Sequence, residues 1–203
     1  MMNGRVRCNT VATKKMEERK VTDLNPFSQH VIQLKSVKRA GWISTSRISS
    51  PESVADHSYS TCAISMAISD MLGLDTERVM KMSILHDLPE SIIGDYLPDQ
   101  VTRKQKRLEE NKAIDVILNS IPRFLRSDYK EIWNEYVLNK TDVARLVHTV
   151  DKIEMALQAR KYADEGCPLH RLVRFFDSYK KYTKDDKHEI FSHILNALKP
   201  SHR

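Results

Sequence analysis

His86 and Asp87 stand side by side at the end of an apolar segment, M-K-M-S-I-L-H-D-L-P-E, and this pair constrains the fold more than any other stretch of the chain. An imidazole and a carboxylate drawn into a buried run need partners, because an unpaired buried charge is strongly unfavourable. A metal ion is the simplest partner. Pro89 sharpens the constraint: it cannot donate a backbone hydrogen bond to the carbonyl of Leu85, so the helix ends or kinks where the pair stands. A kink lets adjacent residues, about 100° apart around a regular helix, converge on one ion.

The rest of the chain reads as all-α. At 203 residues and 40% hydrophobic it can build one domain with a sizeable core. Only 5 glycines occur, and no hairpin-linked runs alternate apolar with polar residues, so a β architecture has little support. Three scattered cysteines, Cys8, Cys62 and Cys167, form no C-x-x-C pair, which argues against a disulfide framework and a thiolate zinc site and suits a reducing cytoplasm. No apolar run is long enough to span a membrane, and the N-terminus has no apolar signal-like stretch. The net charge of +6 comes partly from R-K-Q-K-R at 103–107 and Y-K-K-Y-T-K at 179–184. Such runs are more often solvated helix faces than nucleic-acid sites.

Residues 1–24 are polar and aperiodic and read as a flexible tail, leaving 25–199 for the domain. Asn25 and Pro26 open a helix whose apolar residues Phe27, Val31, Leu34 and Val37 share a face, with a stop expected near Gly41. Ser53 with Asp56 resembles a capping box, and the helix that follows runs to Leu72, stopped by Gly73, with His57, Thr61, Ile64, Ile68 and Met71 facing inward. Asp75 or Thr76 caps the helix that carries His86 and Asp87; being apolar nearly all round, it is expected at the centre. Helices are expected over 103–119, 123–138 and 142–163, the last with Thr141 as its cap and Glu154 set into its apolar stripe. A C-terminal pair is expected at Arg171–Tyr182 and Glu189–Leu198.

His57 in P-E-S-V-A-D-H-S and Asp151 in R-L-V-H-T-V-D-K-I-E complete an ordered pattern of H, then HD, then D. Together with L-K-S-V-K-R-A-G-W and H-D-L-P-E-S-I-I-G-D-Y-L-P, this resembles the HD-domain metal-dependent phosphohydrolases, in the branch that contains 5′-deoxynucleotidases, over roughly residues 26–160. The resemblance implies a single-domain helical bundle with its metal site between central helices. It assigns His57, His86, Asp87 and Asp151 as metal ligands. Two imidazoles and two carboxylates without sulfur suit one divalent ion, Mn, Co, Fe, Ni or Mg, with Zn not excluded. For each ligand alone, an ordinary core histidine or surface aspartate is the simpler reading; the ordered set argues otherwise.

By the same resemblance Glu90 orients or deprotonates the attacking water, Asp95 serves the departing oxygen, Arg39 clamps phosphate and Trp42 packs on the sugar or base. The bland readings are a helix-end carboxylate for Glu90, a loop or cap residue for Asp95, and a surface arginine beside a half-buried tryptophan. Glu154 is placed either to steer a ligand histidine or in an unrelated salt bridge. The implied reaction is removal of the 5′-phosphate from nucleoside 5′-monophosphates, deoxy forms included. Two other readings stay open: an HD phosphohydrolase acting on triphosphates or phosphodiesters, and a metal-stabilised nucleotide or nucleic acid binding module without turnover. A small nucleotide is the expected partner, with nucleic acid disfavoured and no membrane. Family members are commonly homodimers, and the helix at 123–138, with Phe124, Ile132, Trp133 and Tyr136, offers an apolar face for one.

Overall fold

The computed structural model describes residues 24–97 and 99–178, and among these the regular structure is helical, with one isolated antiparallel bridge between Lys38 and Ser53. In chain order the helices are α1 (Asn25–Gln33), α2 (Ala40–Ser44), α3 (Val54–Leu72), α4 (Thr76–Leu85), α5 (Glu90–Ile93), α6 (Arg103–Asn119), α7 (Arg123–Leu138) and α8 (Asp142–Asp164). A 3-10 turn at Leu169–Arg171 leads into the short α9 (Val173–Phe176). The all-α expectation is met. The tail at 1–23, the helix expected at Glu189–Leu198 and the end of the one expected at Arg171–Tyr182 lie outside the described residues.

α3 is set by its ends. Ser53 Oγ accepts from the Asp56 amide at 3.2 Å, while Asp56 Oδ2 accepts from the Ser53 amide at 2.8 Å, so two backbone donors that the first turn leaves open are satisfied reciprocally. At the other end Gly73 takes the left-handed conformation, φ +65°, that lets the chain leave the helix without a Cβ clash. Between them α3 packs on α4 and α8, and α4 also meets α7 and α8. Val54, Ile68, Val79, Met82, Ile114, Ile117, Ile132, Trp133, Val147, Val150 and Ile153 form the main core. A smaller cluster of Trp42, Ala159, Tyr162, Leu172 and Phe175 ties α2 and α9 to α8.

Several local expectations are corrected. α1 ends at Gln33 rather than near Gly41, because the following backbone pairs with the approach to α3: the Val54 amide donates to Val37 O at 2.9 Å and the Arg39 amide to Glu52 O at 3.2 Å. This extended stretch delivers Arg39 to the N-terminus of α2. Met71 does not face inward; it is 71% exposed, because the last turn of α3 presents Ser69 and Leu72 to the core instead. α4 is not wrapped on all sides, because Met80 and Ile84 remain 37% and 44% exposed. Ile132 and Trp133 cannot supply a dimer face, because both are buried in this chain's own core and Trp133 Nε1 donates to Asn111 Oδ1 at 2.7 Å.

Replacing Ser53 with Ala removes the side-chain half of the α3 cap. A loss of about 1 kcal/mol of folding stability is expected, read as a fall of about 2–4 °C in the thermal midpoint; an unchanged midpoint would show that Asp56 caps α3 unaided.

Candidate metal centre

Pro89 ends α4 as its missing amide requires. The last helical residue is Leu85, His86 closes the helix with its amide on Met82 O at 3.0 Å, and a turn through Asp87 and Leu88 leads directly into α5 at Glu90. The HD pair therefore sits at a corner between two helices. His57 faces it from the first turn of α3, and Asp151 from the middle of α8.

The four side chains meet in one buried space. His57 Nε2 lies 3.2 Å from Asp151 Oδ1 and 3.7 Å from Asp87 Oδ2, and His86 Nε2 lies 3.2 Å from the same Asp87 oxygen. The two rings stand 5.6 Å apart at 61°. His57, His86 and Asp87 each offer a ligand atom within 4.8 Å of the others, and Asp151 reaches in through its contact with His57.

Each imidazole has its other nitrogen occupied. His57 Nδ1 meets Glu154 Oε2 at 2.5 Å, and His86 Nδ1 meets the Ser83 carbonyl at 2.6 Å. An Nδ1–H that donates to an oxygen leaves the Nε2 lone pair free, the arrangement by which protein histidines hold metals. Both Nε2 atoms are buried and have no hydrogen-bond partner of good geometry among the described residues, although carboxylate oxygens lie close by. Such orphaned acceptors beside carboxylates fit a cation in their midst. The residues present fit a divalent ion.

The electrostatics agree. Burial and the Arg39 charge act to lower the His57 pKa, yet the Asp151 and Glu154 carboxylates overcome them and push it up to about 10. In the metal-free protein the His57 proton thus stands in for the cation. Burial opposes ionisation of Asp87, but His86, Arg39 and His57 hold it far below the usual carboxylate range. Asp151 is likewise held low against its burial by Lys152, His57 and His86. Glu52 touches the same network from the far side; burial, with the Glu154 charge, raises it to about 7.

A cavity of about 250 Å³ opens over this centre. Arg39 enters it with Nη1 3.4 Å from Asp87 Oδ2 and 3.9 Å from Asp95 Oδ1. Burial works against its charge, and Asp87, Asp95, Glu90 and Asp151 more than restore it. Asp95 Oδ2 accepts from the Ala40 amide at 2.8 Å and so anchors the start of α2 next to Arg39. Glu90 is buried, with Oε1 3.4 Å from Lys106 Nζ and Oε2 unpartnered among the described residues. Burial, then the Asp87 and Asp95 charges, push its pKa well above the ordinary value.

Trp42 is placed differently from its expected stacking role. Its side chain is buried, its indole N–H donates to Glu52 Oε1 at 2.8 Å, and Phe175 covers one face at a centroid distance of 3.9 Å. It forms part of the cavity wall rather than a free platform.

Sequence reasoning missed Lys106 and Lys152. Lys152 Nζ lies 2.8 Å from Asp151 Oδ2, and its position directly after Asp151 was the available signal. Lys106 belongs to the basic run at 103–107, in which Arg103 and Lys104 face solvent while Lys106 and Arg107 line the cavity. His148 donates to or accepts from neither ligand histidine; it contacts Tyr136 O through Nε2 at 2.9 Å and stacks on the Tyr136 ring at 4.1 Å.

A helical bundle with an H, HD and D centre under a charged cavity has the character of a metal-dependent phosphohydrolase. The family profile described as HD domain matches residues 31–193, and the chain belongs to that family. Among its relatives, the 5'-deoxynucleotidase HDDC2 of Homo sapiens is 36% identical over 153 residues, covering 75% of this chain and 74% of that protein. The 5'-deoxynucleotidase HDDC2 of Danio rerio is 38% identical, covering 75% and 76%, and the 5'-deoxynucleotidase hdd1 of Schizosaccharomyces pombe is 33% identical, covering 72% and 76%. In structure the chain is similar to a conserved hypothetical protein from Pyrococcus furiosus, with a TM-score of 0.71, 27% identity and coverage of 85% of this chain and 97% of that one. HD-domain phosphohydrolases use divalent metals, and His57, His86 and Asp87 form a group suited to one.

Two outcomes are expected of metal titrations. Glu154→Gln should weaken Mn(II) binding about 10- to 100-fold, because a neutral amide holds the His57 ring less firmly than a carboxylate does; unchanged affinity would remove Glu154 from the centre. Near pH 7.5 the metal must displace a proton from His57, whose value lies at about 10. Calorimetry in buffers of different ionisation enthalpy should then report release of about one proton per ion, a release that disappears above pH 10. Because this folded-state value exceeds the ordinary one of about 6.5, ionised His57 stabilises the metal-free fold fully below pH 6.5, and that contribution is lost as pH rises through about 10.

Proposed function

We propose that this protein is a metal-dependent 5′-nucleotidase that removes the phosphate from nucleoside 5′-monophosphates, deoxy forms included. The observation that carries the reading is the buried convergence of His57, His86, Asp87 and Asp151 beneath a cavity that also receives Arg39 and Glu90. Relatives named 5'-deoxynucleotidase, at about a third identity over three quarters of the chain, support it independently.

His57, His86, Asp87 and Asp151 would hold one divalent ion, which when bound lowers the pKa of water and offsets charge on a phosphoryl oxygen. Arg39 has a planar, permanently charged guanidinium suited to two phosphoryl oxygens, and Asp95 fixes the backbone beside it. Glu90 takes the proton of the attacking water through Oε2, the oxygen left without a partner. The water oxygen bonds to phosphorus as the bond from phosphorus to the 5′ oxygen breaks. The proton gained by Glu90 passes through Asp95 Oδ1, which is free of the Ala40 amide, to that departing 5′ oxygen, so that the nucleoside leaves as its alcohol.

The cavity lining favours a monoester over a triphosphate. Five cationic side chains, Arg39, Lys106, Arg107, Lys152 and Arg174, face five acidic ones, Asp87, Glu90, Asp95, Glu110 and Asp151. Their formal charges cancel, so a divalent ion leaves an excess that one phosphomonoester dianion balances, whereas a triphosphate brings surplus negative charge.

The free thiols of Cys62 and Cys167 agree with a cytoplasmic setting. The homodimer implied by the family resemblance cannot use Ile132 and Trp133 of α7, which are already buried in this chain's own core.

Purified protein with Mn(II) or Co(II) should release orthophosphate from deoxynucleoside monophosphates, and Glu90→Gln should lower kcat by about 100-fold or more while metal content is retained. Release of pyrophosphate or triphosphate from nucleoside triphosphates, with no action on monophosphates, would replace this reading with the polyphosphate one. Nucleotide binding without any hydrolysis would favour the non-catalytic module.

A further inference from the structure

Glu90 presents a problem of aim. It is the first residue of α5, a helix of only four residues, and is 3% exposed. The terminal torsion of a glutamate is broad, with no sharp rotamer to hold the plane of its carboxylate. A base that must meet one water molecule needs that plane fixed, because a misplacement of about 1 Å can cost 100-fold in rate.

Among the described residues one group fixes it. Lys106 Nζ lies 3.4 Å from Glu90 Oε1, while Glu90 Oε2 has no hydrogen-bond partner among the described residues. Lys106 is itself braced from its own helix by Glu110 Oε1, one turn on, at 3.7 Å. Its neighbours Arg103 and Lys104 in the same basic run face solvent, whereas the Lys106 side chain is only 31% exposed and borders the cavity. Asp151 repeats the arrangement across the centre: Lys152 holds Oδ2 at 2.8 Å while Oδ1 turns toward His57.

We infer that Lys106 is a positioning residue for the reaction, pinning one oxygen of Glu90 so that the other is presented to the attacking water. The inference rests on the nucleotidase reading and deepens it. It also separates Lys106 from Arg39: both are cations on one cavity, but Arg39 faces the metal ligand Asp87 and the phosphate space, whereas Lys106 faces the base. Lys106 acts through Glu90, so it should influence turnover and leave phosphate affinity alone.

The test compares wild type, Lys106→Met and Lys106→Arg, all loaded with Mn(II), on deoxyadenosine monophosphate, with orthophosphate as a competitive inhibitor. Lys106→Met should lower kcat about 10- to 100-fold. KM and the orthophosphate inhibition constant should stay within about twofold of wild type, and Lys106→Arg, which keeps the charge and a donor, should recover a good part of kcat. A methionine variant that melts well below wild type is set aside for the arginine comparison, in which a shifted guanidinium should still lower kcat and not KM. A rise of tenfold or more in KM and in the inhibition constant at unchanged kcat would instead make Lys106 a direct phosphate contact. Unchanged constants in both variants would reduce it to a surface ion pair. If wild type releases no phosphate from any monophosphate, the nucleotidase reading itself fails and the inference falls with it; an active wild type with indifferent variants overturns the inference alone.

Discussion

Two imidazoles and two carboxylates drawn into one space from α3, the corner after α4, and α8 make a centre largely shielded from water. His57 is fully buried, Asp151 nearly so, and Glu154 and Glu90 add two more buried acids around them. Such a concentration of acids in a low-dielectric interior is stable only with compensating positive charge. In the metal-free protein that charge comes from the His57 proton, Arg39 and Lys152. The three helices that present the centre, α3, α4 and α8, also carry much of the core, so folding and assembly of the site are coupled.

Local chemistry at each helix end sets the geometry. Pro89 stops α4 so that His86 and Asp87 occupy a corner, where adjacent side chains can turn to one point. Ser53 and Asp56 fix the start of α3, which places His57 one turn in. The backbone pairing of Val37 and Arg39 with Val54 and Glu52 then brings Arg39 over the centre, and Asp95 anchors it there through Ala40. Glu154, one turn beyond Asp151 on α8, holds the outer nitrogen of His57. The histidine, its orienting carboxylate and the cavity-facing arginine are thus tied by short backbone or side-chain bonds to the elements that carry the core.

Much of this was legible in the sequence because it is local. The capping box at Ser53, the stop at Gly73, the break at Pro89 and the Thr141 cap depend on residues within a turn of one another, and each was read correctly. The centre was legible because its words are short and ordered. What escaped depends on which side of an element finds a partner. α1 looked continuous to Gly41 because its apolar spacing persists, yet the backbone after Gln33 finds hydrogen bonds across space with the loop before α3. Ile132 and Trp133 looked available to a partner chain, since nothing in a helix's own periodicity says whether its apolar face meets α4 and α6 or another molecule. Trp42 looked available to pack on a sugar or base because Phe175 and Tyr162, which cover it, come from far along the chain. Lys106 was hidden among four other cationic or polar neighbours, and only the orientation of α6 singles it out.

The central claim is that the four side chains share a single divalent ion, and crystals grown with Mn(II) test it most directly through the anomalous signal of the metal. The account predicts one strong peak per chain, bonded to Nε2 of His57, Nε2 of His86 and one oxygen each of Asp87 and Asp151. A peak held by other residues, or Mn(II) bound with either imidazole turned away from it, would contradict the account.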